Sequence, residues 1–225
     1  MRLIAIGDIH GQKEKLERLL DDVAPTGEDR LVFLGDYIDR GPDAHGVIEL
    51  LINLREDRPD TVFIRGNHEQ MLLDALFEAV FSAGSVPAER SVPDLELERF
   101  SELQVYLRNG GPATLASYGV DRVDALPAEH VAFLQATRFY YRQAGFLFVH
   151  AGARNDLPLA EQDEYTLLWD RTLDPGIREV HVVGHQPTTT GLPGFEAGRY
   201  RIDTGAGSKG PLTACDVLTR TFWQA

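Results

Sequence analysis

Within the first eighty residues, an apolar run of strand length breaks three times into a glycine-flanked polar turn and then into a helical pattern. "RLIAIGDIHG" leads into "QKEKLERLLDDV", where Leu16, Leu19, Leu20 and Val23 recur at helical spacing. "DRLVFLGDYIDRG" leads into "AHGVIELLINLRED", with Val47, Ile48, Leu51 and Ile52 on one face. "PDTVFIRGNHE" leads into "QMLLDALFEAVF". A β-turn-α unit repeated three times predicts an α/β fold. Each turn lies just past a strand, where folds of this class bind ligands.

The pattern weakens between residues 82 and 123, which hold Gly84, Pro87, Pro93, "NGGP" and the acidic "DLELERF". A small, mostly helical cap insertion is expected there. "PAEHVAFLQA" is a further helix with Pro127 near its start. The chain then turns β-rich: "RFYYRQAGFLFVHAG" reads as two strands around a Gln-Ala-Gly turn. "REVHVVGH", "GRYRIDTGA" and "LTACDVLTRTFWQ" are further strands. There is no solenoid repeat and no low-complexity linker, so residues 1–225 are expected to form a single domain with the insertion at 82–123.

Composition narrows the function classes. No apolar run approaches the ~18–20 residues of a membrane span. The apolar start halts at Gly7-Asp8, short of a signal-peptide core of roughly 7–15 residues, so a cytoplasmic protein is expected. The formal net charge of −13 disfavours nucleic acid, whose phosphates demand Lys and Arg, but permits one local basic pocket. Cys215 is the only cysteine, so neither an intrachain disulfide nor a thiolate cluster can form. A metal site in this chain has to use His, carboxylate and amide ligands.

Five strand ends carry such groups beside Gly: "GDIHG" (Asp8, His10), "GDYIDRG" (Asp36, Asp39, Arg40), "GNHE" (Asn67, His68), "VHAG" (His150) and "VGH" (His185). Asp8 and His10, two apart on an extended segment, point the same way and suit one ion. Asp36 has two carboxylate oxygens and could bridge two ions, with Asn67, His150 and His185 completing the second. Mixed oxygen and nitrogen ligation suits Mn, Fe or Zn better than Mg or Ca. Taken singly, each residue has a plainer explanation. Asp8, Asp36 and Asn67 suit helix caps or turns, and His150 and His185 suit hydrogen-bonded, half-buried imidazoles. Caps need no His, however, and do not explain five such strand ends. Glu69 suits the positive end of a helix dipole. His45, His130 and His181 lie inside helix or strand patterns and receive no role.

This ordered set resembles the calcineurin-like metallophosphoesterases, and within them the bacterial and phage serine/threonine protein phosphatases of the PPP type. The motifs run from residue 7 to residue 185, and "IDTGA" followed by "LTA" resembles the end of the same domain. The resemblance implies a central β-sandwich of two mixed sheets flanked by helices, with two divalent metal ions at the strand ends. Manganese is the first choice, and Fe, Zn or a mixed pair the alternatives. It implies Asp8 and His10 on one ion, Asp36 bridging, and Asn67, His150 and His185 on the other. His68 is implied as a general acid held by Asp39, acting while a hydroxide between the cations attacks phosphorus. Arg40 suits bidentate phosphate binding, and Arg171, in "LLWDRT", resembles a second phosphate-binding Arg. Many metallophosphoesterases read "GHxH" at the last motif. This chain reads "GHQP", with Pro187 in place of the second His, a departure that the PPP branch shares.

The expected function is a phosphomonoesterase acting on phosphorylated Ser or Thr in protein, or on small phosphoesters, with no nucleic-acid or membrane partner. The nearest chemical rival is a symmetrical dinucleoside tetraphosphate hydrolase, a sister group whose second motif tends to lack an acid at the position of Asp39. A rival of another class is a phosphoprotein-binding module with little turnover.

Overall fold

The computed structural model describes residues 1–82, 101–172 and 179–225. Two five-stranded mixed sheets pack face to face. The first holds β1 (Leu3–Ile6), β2 (Arg30–Phe33), β3 (Val62–Phe63), β9 (Thr213–Asp216) and β10 (Thr221–Gln224), in the order β10-β9-β1-β2-β3. The second holds β4 (Tyr140–Gln143), β5 (Phe146–Val149), β6 (Val180–Val183), β7 (Gly194–Glu196) and β8 (Arg199–Arg201), in the order β4-β5-β6-β8-β7. Strands β1, β2 and β3 run parallel, as do β5, β6 and β8.

The period-two alternation of the first strands assigns their faces. Leu3 and Ala5 of β1, with Val32 of β2, point into the sandwich interior against Phe148, Val182 and Tyr200 of the second sheet. Ile4, Ile6, Leu31 and Phe33 point the other way, into the layer under the helices. Both faces are buried, so these strands read as continuous apolar runs.

The helical layer follows the expected order. It begins with α1 (Lys13–Val23), α2 (Ala44–Asp57) and α3 (Asn67–Ser82). Leu16, Leu19 and Val23 of α1 are buried, and so are Val47, Ile48, Leu51 and Ile52 of α2. Each such side chain contributes roughly 1.5–3 kcal/mol. Of the expected insertion, residues 83–100 lie outside the described residues. The remainder forms α4 (Glu102–Arg108) and α5 (Gly111–Tyr118), which pack on α3 and α2. Their Tyr106 and Leu115 enter the same core as α1 to α3. Helix α6 (Ala128–Gln135) follows.

Three elements differ from expectation. Helix α3 begins at Asn67 rather than after Glu69, so all of "NHE" lies in its first turn. A short α7 (Glu164–Trp169) is capped by Asp163, whose carboxylate accepts from the Thr166 N–H at 2.6 Å. Strand β7 joins β8 through Ala197-Gly198, both at positive φ, as Ala144-Gly145 joins β4 to β5. Two successive left-handed residues match the twist of a tight hairpin, and here the sequence signal is only "AG".

Arg2 and Asp29 lock the edge of this framework. The guanidinium donates to Asp29 Oδ2 from Nη2 at 2.6 Å and from Nε at 3.1 Å, and also to the Val23 and Ala24 carbonyls at the end of α1. The Arg2 hydrogen bond holds the Asp29 carboxyl well below the usual carboxylate range, against the opposing effect of burial. A depressed folded pKa contributes stability that is complete above the unfolded value near 4 and is lost progressively as pH falls from there toward the lower folded value. Asp29→Asn is therefore expected to lower the unfolding free energy by about 2 kcal/mol at pH 7. In urea titrations repeated at falling pH, the gap to the parent protein should close below about pH 4. A pH-independent gap would refute the ionic origin.

Candidate active site

The carboxyl ends of six parallel strands meet at one edge of the sandwich. Asp8 follows β1, Asp36 follows β2 and Asn67 follows β3. From the second sheet, His150 follows β5, His185 follows β6 and Asp203 follows β8. All are buried, together with His10, Asp39 and His68. Every metal-ligand candidate of the sequence is thus brought to one place.

Asp36 is the centre. Its Oδ2 lies 3.5 Å from His10 Nε2 and 3.9 Å from His68 Nε2, and its Oδ1 lies 3.4 Å from His150 Nε2. Asn67 Oδ1 lies 2.9 Å from both His150 Nε2 and His185 Nδ1. Asp8 accepts from the His185 backbone N–H at 3.0 Å. Two ligand-type clusters result, His10 with His68 and His150 with His185, and Asp36 belongs to both.

The backbone is bent to reach this arrangement. Among the described residues, nine non-glycine residues have positive φ, and five of them are His10 (48°), Asp36 (53°), Asp39 (70°), Arg40 (65°) and His185 (62°). Left-handed conformations at such residues cost of order 1–3 kcal/mol and persist where surroundings over-determine them. Hydrogen bonds do that here. The Ile9 and His10 N–H groups donate to the Asp36 carbonyl, the Gly11 N–H to the Tyr37 carbonyl, and the Gly184 N–H to the His150 carbonyl. Glycine is required at Gly66 and Gly184, where a Cβ would collide with the Asp36 and Asp8 carboxylates respectively.

The electrostatics state what the site lacks. Burial first, then Asp203 and Asp36, raises Asp8 well above the usual carboxylate range. Burial raises Glu69 to about 7 and Asp203 to about 6. Burial also pulls His10 and His185 down to about 3 and lowers His150, so these rings are neutral. The His150 Nδ1–H donates to the Leu34 carbonyl at 2.8 Å, which leaves the Nε2 lone pair facing Asn67 Oδ1 and Asp36 Oδ1. Three acceptors converge with no proton between them. His10 is pinned likewise, its Nδ1–H donating to the Ile38 carbonyl at 2.9 Å. A cation satisfies such a convergence, and imidazole, amide and carboxylate donors together fit Mn, Fe or Zn.

His68, a member of the cluster with His10, also turns its Nδ1 to within 2.7 Å of Asp39 Oδ2. Burial works against the His68 imidazolium, but Asp36 and Asp39 outweigh it and raise its pKa. Arg40 stands at the exposed mouth and donates to Nε2 of His10 at 3.0 Å and of His68 at 2.9 Å. Arg171 follows α7, with Nε 3.3 Å from His185 Nε2. Arg65 instead turns toward Thr137, Gln70 and the end of α6. Cys215 is buried and its thiol is pushed up to about 12 by burial, so it is inert as a nucleophile.

Three site residues escaped the sequence. The Glu69 carboxylate accepts from the N–H groups of Asp36 (2.8 Å), Tyr37 (2.8 Å) and Gly66 (2.9 Å), which clamps the β2 turn to the start of α3. "GNHE" displays this Glu, but its role depends on backbone donors 31 to 33 positions away. Thr114 of α5 donates to Asp39 Oδ1 at 2.6 Å and accepts from the Asp39 N–H. No local signal marks it. Asp203, in "IDTGA", was visible as a motif without a role. Glu69→Gln replaces one acceptor oxygen by a donor against N–H groups. It is expected to lower manganese affinity about 10–100-fold, the scale for a group that orients ligands, and to lower the melting temperature of the metal-free protein. Equilibrium dialysis and thermal melts test both, and parent-like values would contradict the clamp.

The profile of the family "Calcineurin-like phosphoesterase" matches residues 1–211. Serine/threonine-protein phosphatase 1 of Salmonella typhimurium is 30% identical over 232 residues, covering 94% of this chain and 90% of that protein. A Caenorhabditis elegans protein described as a candidate serine/threonine-protein phosphatase is 41% identical over 73 residues, 32% of this chain and 20% of that protein. The crystal structure of a candidate diadenosine tetraphosphatase superposes with a TM-score of 0.70 at 20% identity, covering 100% of this chain and 92% of that one. The chain belongs to the calcineurin-like phosphoesterase family of hydrolases.

Proposed function

We propose that this protein is a di-metal phosphomonoesterase that acts as a serine/threonine protein phosphatase. The observation that carries the reading is the Asp39–His68 pair, whose imidazole stands in the cluster of His10 and Asp36. Asp8 and His10 would hold one divalent ion, Asn67, His150 and His185 the other, and Asp36 both. Such ions, when bound, supply an activated water and neutralise phosphoryl charge. Manganese is favoured, with iron, zinc or a mixed pair as alternatives.

The chain's own residues supply the remaining chemistry. Arg40, a fork of donors at the mouth, would grip the phosphoryl oxygens, with Arg171 opposite. The Asp39 carboxylate fixes the His68 ring through Nδ1–H and raises the basicity of Nε2. That nitrogen can then carry a proton and deliver it to the leaving alkoxide. A serine alkoxide is a poor leaving group and needs this proton. The reading takes residues 1–225 as a single domain with an insertion at 82–123, of which 83–100 lie outside the described residues. Among the described residues no helix is long and apolar enough to cross a membrane. A cytoplasmic setting with a phosphoprotein or small phosphoester as partner completes the reading.

The similarity to the Salmonella enzyme, which spans nearly both chains, supports the protein phosphatase over the dinucleotide hydrolase. The acid at Asp39 adds to that support. His68→Asn is expected to cut kcat by roughly 10²–10⁴-fold with metal content unchanged. Loss of a metal equivalent in that variant would make His68 a ligand instead. The substrate reading rests on a parallel assay of a phosphoserine peptide, a phosphotyrosine peptide and diadenosine tetraphosphate with added manganese. The highest kcat/KM is expected for phosphoserine. Preference for the dinucleotide would move the chain to the rival hydrolase, and no turnover with several metals would leave a phosphoprotein-binding module.

A further inference from the structure

A second group of imidazoles and a carboxylate stands apart from the strand ends and shares no residue with them. His45 and Glu49 lie four apart on α2, so their side chains share one face. His130 of α6 reaches the same face. Its Nε2 lies 3.0 Å from Glu49 Oε1, and His45 Nε2 lies 3.6 Å from that oxygen. One ligand atom from each residue falls within 4.8 Å of the others.

Tetrahedral zinc, with Zn–N and Zn–O bonds near 2.0–2.1 Å, separates its ligands by about 3.3 Å. The two measured separations bracket that value. His130 is buried, only 4% exposed, and its other nitrogen Nδ1 lies 2.7 Å from the Tyr118 hydroxyl on α5. An outer partner on the second ring nitrogen is the arrangement that fixes a metal-binding imidazole. With Nδ1–H donating to the phenol oxygen, Nε2 presents its lone pair to an ion. His45 and Glu49 are about half exposed, which gives an ion a way in and leaves a coordination position for water. Two imidazoles and one carboxylate select a borderline transition metal over Mg or Ca.

We propose that His45, Glu49 and His130 form an accessory surface site for a transition-metal ion such as zinc, which would tie α2 to α6 with Tyr118 of α5 as the orienting partner. The site lies on the helix that follows the Asp39–Arg40 turn. Its α5 neighbour also accepts from the His45 N–H through Ser117 Oγ at 2.8 Å, so an ion there would brace the elements that hold Asp39.

The test is zinc stoichiometry by equilibrium dialysis at low-micromolar zinc, read by atomic emission on the full chain. His45→Ala and Glu49→Gln, both exposed substitutions, should each bind one zinc equivalent fewer than the parent. Asp36→Asn, which alters only the strand-end clusters, should keep that equivalent. Tyr118→Phe should weaken it about tenfold or more. Parent-like zinc content in both His45→Ala and Glu49→Gln would overturn the proposal, as would loss of all bound zinc in Asp36→Asn.

Discussion

The carboxylate of Asp36 is the charge around which this molecule is arranged. It sits buried among three imidazoles, and four further carboxylates, Asp8, Asp39, Glu69 and Asp203, are buried close by. Burying one unpaired anion is expensive, and burying five carboxyl groups in one region is untenable unless each is matched or protonated. Backbone donors match part of the charge. Glu69 accepts N–H groups of the β2 turn, Asp36 Oδ1 accepts the His68 N–H from the first turn of α3, and Asp8 accepts the His185 N–H. The imidazoles of His10, His150 and His185, whose pKa values burial lowers, and the Asn67 amide bring no positive charge of their own. Positive charge is what the region still lacks, and the two groups around Asp36, His10 with His68 and His150 with His185, could hold divalent cations there.

That requirement explains why two sheets are needed. A single parallel sheet presents its strand ends along one line. Here β1, β2 and β3 deliver Asp8, Asp36 and Asn67 from one side, and β5 and β6 deliver His150 and His185 from the other. The first sheet delivers mainly oxygen atoms to the seam and the second mainly imidazole nitrogens. The seam between the sheets is therefore where the two groups of His and Asp side chains that share Asp36 come together. The left-handed residues His10, Asp36 and His185 turn each chain segment sharply at that seam.

What the sequence disclosed follows from range. The apolar runs, the helical faces of α1 and α2, and the ligand-type residues beside Gly are local patterns, and local patterns are read directly. Strand β7 and helix α7 were missed because their signals are short, an "AG" turn and a lone Asp cap. Glu69 and Thr114 were missed for another reason. Glu69 serves backbone groups of another turn, and Thr114 serves a carboxylate 75 positions away. Neither partner is implied by spacing. The same limit hid His45, Glu49 and His130, since α2 and α6 meet only in the folded chain.

The segment "GNHE" shows how much one helical turn can separate. Successive residues of a helix point about 100° apart, and α3 begins at Asn67 itself. Asn67 therefore faces His150 and His185, His68 faces Asp39 and Arg40, and Glu69 folds back on the β2 turn. Three neighbours in sequence acquire three different partners because the helix starts one residue after Gly66, where a Cβ would meet Asp36. Had α3 begun after Glu69, these residues would lie on a loop whose side chains are not held apart by helical geometry. The three separate sets of contacts made by Asn67, His68 and Glu69 are thus fixed by where the helix begins.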